Sequence, residues 1–176
     1  MSLFFITGVS SSGKSSITHE LRDRGYAAYD TDDDALARWQ NNETGYIHPK
    51  SSVKAHQRTG DFLNLHSWNV PREFIEEIAD NNLDNSAFIC GVAQNINEIR
   101  DLFSGVFALI IDEETLKHRI ETRTNNDWGK QPHELKKTLD IYKNAAKEYS
   151  RLGYTIINAG QPLVKVVDNI LDKIKE

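Results

Sequence analysis

The chain predicts a parallel α/β fold of five strands with helices between them, and three observations carry that reading. Apolar segments alternate between short strand-like runs and longer stretches with helical spacing, the pattern that repeated βα units produce. The first apolar run, Leu3-Phe4-Phe5-Ile6, opens into a glycine- and serine-rich turn and then a helical stretch with Ile17 and Leu21 four residues apart. At 176 residues the chain can bury one full core, so a single domain over residues 1–176 is expected.

Each element has its own signal. The first helix runs from Lys14 to Arg24 and stops at Gly25, a residue type suited to the left-handed position after a helix. A short strand, Tyr26 to Tyr29, leads into Asp30-Thr31-Asp32-Asp33-Asp34, and a helix carrying Ala35, Leu36 and Trp39 is expected next. From Asn41 to Val70 the pattern dissolves into an irregular segment with Gly45, Pro49 and Gly60, of the kind that usually serves function. Pro71 fits the first position of a helix through Asn81. Ala87 to Cys90 reads as a buried strand, and Ile96, Ile99 and Phe103 mark a helix after it. Val106 to Ile111 is the longest apolar strand, and Asp112 suits the cap of a helix with Leu116 and Ile120. A polar loop from Thr124 to Gln131 precedes a long helix from Pro132, with apolar residues at 135, 139, 142, 146 and 149. Gly153, a strand from Tyr154 to Ile157, and a helix from Pro162 complete the chain.

Composition narrows the classes of function. Acidic residues outnumber basic ones, 26 against 21, for a net charge of −5, which argues against a nucleic-acid partner. No apolar run approaches the roughly 20 residues that span a membrane, so no membrane partner is expected. No basic segment with a cleavage site opens the chain, and Cys90 stands alone, which fits a reducing, cytoplasmic setting. Oligomeric state is left open.

The turn after the first strand reads Gly8-Val9-Ser10-Ser11-Ser12-Gly13-Lys14-Ser15, a complete G-x-x-x-x-G-K-[ST] phosphate-binding loop between a strand and a helix. Its glycines let successive N–H groups point at phosphate oxygens, and the helix N-terminus adds positive potential. Lys14 reaches the β- and γ-phosphates, the Ser15 hydroxyl ligates Mg²⁺, and Ser16 extends the cradle. The loop predicts a nucleoside triphosphate ligand.

Such a loop needs a carboxylate to organise Mg²⁺ or to accept a proton. Asp30 and Asp32 stand at the carboxyl end of the second strand, where open α/β sheets place ligands, and alternation points them to one side. Helix capping is the plainer role and suits Asp33 or Asp34. Asp112 with Glu113 offers a second candidate, although an N-cap accounts for Asp112. Arg119 and Arg123 lie one helical turn apart beside the polar loop holding Trp128-Gly129, placed to neutralise charge during transfer. Arg58 and Arg72 are candidates for an anionic acceptor, and Trp68 for stacking on one. His48, His56 and His66 lack metal-ligand spacing, and Cys90 reads as a small hydrophobe.

These motifs resemble the P-loop small-molecule and nucleotide kinases: adenylate kinase-like, shikimate kinase-like and gluconate kinase-like proteins. The resemblance implies a three-layer α/β/α fold with a five-stranded parallel sheet in order 2-3-1-4-5. It also implies a substrate-binding insertion over residues 41–80 and an arginine-bearing lid over residues 119–131. Asp30-Thr31-Asp32 resembles the D-x-D of shikimate kinases, which serves Mg²⁺ and the acceptor hydroxyl, and that of dephospho-coenzyme A kinases. Asn158-Ala159-Gly160-Gln161 occupies the adenine-holding loop, which implies Asn158 and Gly160 as ATP contacts. Cys90-Gly91-Val92-Ala93-Gln94 departs from the Asp-Gly-Phe-Pro-Arg of nucleoside monophosphate kinases and from the shikimate kinase triple glycine, and leaves Gly91 as the glycine expected beside the acceptor.

The expectation is therefore an ATP- and Mg²⁺-dependent phosphotransferase acting on a hydroxyl of a small acceptor. Lys14, Asp30, Asp32, Arg119 and Arg123 would be its catalytic residues, with Ser15 and Asp32 at the metal. The alternatives are an ATP-binding switch or ATPase module without transfer, and a nucleotide or dephospho-coenzyme A-type kinase.

Overall fold

The computed structural model describes residues 2–49, 52–124 and 127–175. Five strands, β1 (Ser2–Gly8), β2 (Ala27–Asp30), β5 (Ser86–Cys90), β6 (Gly105–Ile110) and β7 (Thr155–Asn158), form one parallel sheet in spatial order β2-β5-β1-β6-β7. Numbered among themselves along the chain, these strands stand in the order 2-3-1-4-5. Central β1 is paired on both sides, with Phe5 opposite Ile89 of β5 and Val106 of β6.

A strand covered on both faces is apolar at every position rather than every second one, and β1 obeys that rule. Phe4 and Ile6 face one core with Phe88, Phe107 and Leu109. That core is closed by Ile17 and Leu21 of α1 (Lys14–Asp23) and by Val166, Val167 and Ile170 of α6 (Leu163–Lys173). Leu3 and Phe5 face the other core, with Ile75 and Ile78 of α3 (Arg72–Asp80), Ile99 and Phe103. The stripe of α5 (Pro132–Arg151) sets Leu135, Leu139, Tyr142 and Tyr149 against the first core, as its spacing predicts. Gly25 and Gly153 follow their helices with φ of 86° and 72°, the left-handed geometry expected of them.

Two expected helices are absent. Residues 35–39 form no helix: Ala35 takes a φ of +63° and closes a turn by donating to the Asp32 carbonyl, after which the chain extends. The next segment is β3 (Arg38–Asn41), which pairs antiparallel with β4 (His66–Asn69), opposing Trp39 to Trp68. An aromatic cross-strand pair outweighs the weak helical spacing here. The stretch from 41 to 70 is accordingly more ordered than its composition suggests, holding this ribbon and α2 (Gly60–Leu65). Residues 96–103 make two single 3-10 turns, Ile96–Glu98 and Arg100–Leu102. Asn95 ties this segment to both backbone groups of Val70, at 3.0 and 2.8 Å, and Ser104 already donates to Leu3 at 2.8 Å, so no span remains for a helix. Pro71 and Pro162 sit at the caps of α3 and α6, one residue before the helices begin.

Candidate functional site

At the carboxyl ends of β1, β2, β5 and β7 the chain forms a cavity of about 910 Å³. Its floor is the loop between β1 and α1. Gly8, at φ 155°, admits no side chain: a Cβ there would stand 2.6 Å from Ser12 Oγ and 2.9 Å from the Leu109 carbonyl. Gly13 caps α1 at φ 108°, and Ser11 also turns left-handed at φ 64°. The loop thus curls around the helix N-terminus, the geometry that aims N–H groups at an anion. Val9, Ser10, Ser11, Ser12, Ser15 and Ser16 line the cavity with both glycines and Lys14. Ser11 Oγ is buried there without a hydrogen-bond partner among the described residues, a polar atom that a phosphate oxygen would satisfy.

Lys14 reaches back over the loop, its Nζ donating to the carbonyls of Gly8 and Val9 at 2.9 Å each. Burial lowers its pKa to about 8, against the pull of Asp32 and then Asp30, while Arg123 adds to the fall. An anionic ligand on the loop would restore the proton's hold.

The acidic run after β2 divides its work. Asp30, 4% exposed, turns inward, and its Oδ1 accepts the N–H groups of Asp32 at 2.9 Å and Asp33 at 3.2 Å. Asp34 accepts from the Asp30 N–H at 2.7 Å and from Arg22 at 2.5 Å. Asp32 alone of the run lines the cavity. Its Oδ1 accepts from Trp68 Nε1 at 3.1 Å and from Thr31 Oγ1 at 3.3 Å. The protein around this carboxylate and then the neighbouring Asp30 charge raise its pKa, opposed by Lys14 and the Trp68 and Thr31 hydrogen bonds.

Gly91 lies behind Asp32 and does not line the cavity. Its N–H donates to the Ile6 carbonyl at 2.9 Å, and a Cβ on it would fall 1.9 Å from Thr31 Oγ1. The missing side chain makes room for Thr31, and Thr31 in turn holds Asp32. Gln94, a residue that sequence reasoning passed over, clamps Trp68: its Oε1 accepts the Trp68 N–H at 2.6 Å and its own N–H donates to the Trp68 carbonyl at 2.8 Å.

Two arginines close the third side, both set by α4 (Glu113–Thr122). Asp112 caps that helix, accepting the Thr115 N–H at 2.8 Å and the Thr115 hydroxyl at 2.7 Å, and it stands outside the cavity. Arg119 Nη1 donates to the Ser11 carbonyl at 3.3 Å, directly over the phosphate loop. Arg123 donates to the Trp128 carbonyl, while its Nε is buried without a partner among the described residues. Both line the cavity. Of the expected lid, residues 125 and 126 lie outside the described residues, as do 50 and 51 of the expected insertion.

Arg58 also reaches the cavity wall, where two carboxylates hold it: Nε donates to Glu134 and Nη2 to Asp127, each at 2.8 Å. Glu134 is fully buried and its second oxygen accepts the Gly129 N–H at 2.9 Å. This buried acid links residue 58, the loop after α4 and the start of α5; its spacing along the chain gave no sign of it. Arg72 is remote from the cavity, paired with Asp101 at 2.6 Å and Glu76 at 3.4 Å. In the loop after β7, Ala159 and Gln161 face the cavity, whereas Asn158 shapes the turn by accepting the Gly160 N–H at 2.9 Å. Cys90 is packed in the core with its thiol pushed up to about 12 by burial, and is chemically inert. His48 and His66 sit 5.0 Å apart on the ribbon side, and the described residues contain no His, Cys, Asp and Glu cluster able to hold a metal by itself.

No protein-family model matches the chain, and no curated protein matches it. Solved structures do. A shikimate kinase from Acinetobacter baumannii superposes with a TM-score of 0.60 at 14% identity, over 99% of this chain and 93% of that one. Deoxyadenosine kinase from M. mycoides gives 0.59 at 14% identity over 100% of both chains. A sugar kinase from Janibacter sp. HTCC2649 gives 0.58 at 16% identity, over 99% of this chain and 95% of that one. Likeness at such low identity is a likeness of fold, and together with the sheet order and the loop it identifies the chain as having the P-loop nucleotide and small-molecule kinase fold.

Proposed function

We propose that the protein transfers the γ-phosphoryl group of ATP to a hydroxyl of a small acceptor, with Mg²⁺. One observation carries the reading: the phosphate loop, the Asp32 carboxylate and the Arg119–Arg123 pair all face one cavity. Lys14 and the loop N–H groups would hold the β- and γ-phosphates, and Ser15 with Asp32 offers the hard oxygen donors that Mg²⁺ prefers. Held by Ser15 and Asp32, Mg²⁺ would supply neutralisation of phosphate charge. Asp32 would take the proton of the acceptor hydroxyl as its oxygen bonds to the γ-phosphorus and the bond to the β-phosphate oxygen breaks, releasing ADP. Arg119 and Arg123 would offset the charge that develops, and closure of residues 119–131 would exclude water.

The same reading extends to the remaining residues. Residues 41–80 would supply the acceptor side through the β3–β4 ribbon, and Asp30 and Gly91 would act through Asp32. Ala159 and Gln161 would meet the adenine on a loop shaped by Asn158 and Gly160. No helix among the described residues is long and apolar enough to cross a membrane; a cytoplasmic setting is proposed from the lone buried cysteine.

The decisive experiment is a panel of hydroxylated metabolites scored for acceptor-dependent ADP release, including sugars, sugar acids, shikimate, nucleosides and dephospho-coenzyme A. One acceptor should stimulate release strongly, and Lys14→Ala should abolish it in a folded protein. ADP formation that no acceptor stimulates would instead mark a nucleotide switch or ATPase.

A further inference from the structure

One wall of the cavity is aromatic, and its geometry bears on what the acceptor is. In the β3–β4 ribbon Trp39 stands directly across from Trp68, so both side chains leave the ribbon on one face. Their ring centroids lie 5.0 Å apart, and Trp128 approaches Trp39 at 6.2 Å from the loop after α4. These are the chain's 3 tryptophans, and every one lines the cavity. All three are part-buried, and Trp39 is further supported by Phe62, edge-on at 5.3 Å.

Position adds direction to this surface. Trp68 Nε1 donates to Asp32 Oδ1 at 3.1 Å, so the indole stands beside the carboxylate that would orient the reacting hydroxyl. A hydroxyl bound at the other carboxylate oxygen brings the carbon skeleton that bears it alongside the tryptophans. The Gln94 clamp on both backbone groups of Trp68 keeps the face in place. A rigid aromatic face favours a ring, through the π-face of a base or the C–H face of a pyranose or cyclitol. An open chain offers no such face and loses more rotamer freedom on binding. Arg58, stacked over Trp128 at 5.8 Å, is already held by Asp127 and Glu134 and does not call for an acidic acceptor.

We propose, building on the phosphotransfer reading above, that the site selects a ring-bearing acceptor whose ring lies on the Trp39–Trp68 face with its hydroxyl at Asp32. Binding is to be measured apart from turnover, by indole fluorescence and calorimetry with a non-hydrolysable ATP analogue present. Three probe sets are compared: nucleosides, pyranoses with cyclic polyols, and open-chain sugar acids. A compound from one of the two ring sets should bind, change the emission and outrank every open-chain acid; which set it comes from distinguishes a base from a saturated ring. Trp39→Ala should weaken that binding fivefold or more, and Trp39→Phe should restore most of it. An open-chain acid that outranks all ring compounds, emission unmoved by any ring compound, or unchanged affinity in Trp39→Ala would overturn the proposal. If Trp39→Ala does not fold, the wild-type ranking and Trp39→Phe decide it. Ring binding without ADP formation would overturn phosphotransfer but leave the ring face standing, whereas ADP release driven only by an open-chain acid would do the reverse.

Discussion

Asp30 and Asp32 carry the same side chain two residues apart and do different things, because one accepts backbone N–H groups within a turn while the other faces a cavity. Asp32→Asn is expected to slow turnover at least tenfold, a modest threshold for loss of a general base. Asp30→Asn keeps an acceptor oxygen for the turn but removes a negative charge that raises the Asp32 pKa. As a base, Asp32 loses activity when pH falls through its pKa. A lowered pKa therefore carries the acid limb of the kcat profile to lower pH in Asp30→Asn, and an unmoved limb would separate the two carboxylates. Lys14 gives a second pH dependence of opposite limb. Its free-state pKa of about 8 means that it is charged before ATP arrives below that pH and uncharged above it. ATP affinity should decline as pH rises through 8, and calorimetry in buffers of different ionisation enthalpy should show proton uptake on binding at pH 9.

At the scale of elements, the segment between β3 and β4, the loop after α4 and the start of α5 meet at one ion pair. Arg58 donates to Glu134, which is fully buried and also accepts from Gly129. Removing one partner leaves a carboxylate without its counter-charge in a dry setting, so Arg58→Ala should cost about 3 kcal/mol in chemical denaturation. A loss under about 1 kcal/mol would mean that the Gly129 N–H and solvent satisfy Glu134 unaided. The ribbon itself was hidden because its strands are four residues each and almost wholly polar apart from the tryptophans. Only pairing across 24 or more intervening residues makes them strands, and no local window contains that information.

For the molecule as a whole, Arg119 from α4 and Arg123 from the extended residue that caps it reach a loop and a cavity assembled from distant parts of the chain. If they act on the transition state, Arg123→Ala should lower kcat more than it weakens ATP binding. Backbone hydrogen exchange at residues 127–131 should slow when ATP analogue and acceptor are bound together. Equal effects on binding and turnover, with exchange unaltered by ligands, would leave Arg123 as a support for the Trp128 carbonyl alone.

The sequence by itself determined the five core strands, the phosphate loop and the helices α1, α3, α4, α5 and α6, because each rests on spacing or on a residue requirement within one short window. Gly8, Gly13, Lys14 and Ser15 could be read as a site for that reason. Tertiary structure decided what windows cannot hold: that Asp32 rather than Asp30 meets the cavity, that Arg58 is tied to Glu134, that Arg72 is remote, and that Gly91 serves by making room for Thr31. It also turned an expected helix at Trp39 into a strand facing Trp68. Periodicity reports the face that a segment buries, whereas the partner on that face is set by long-range packing, and a functional site is made of such partners.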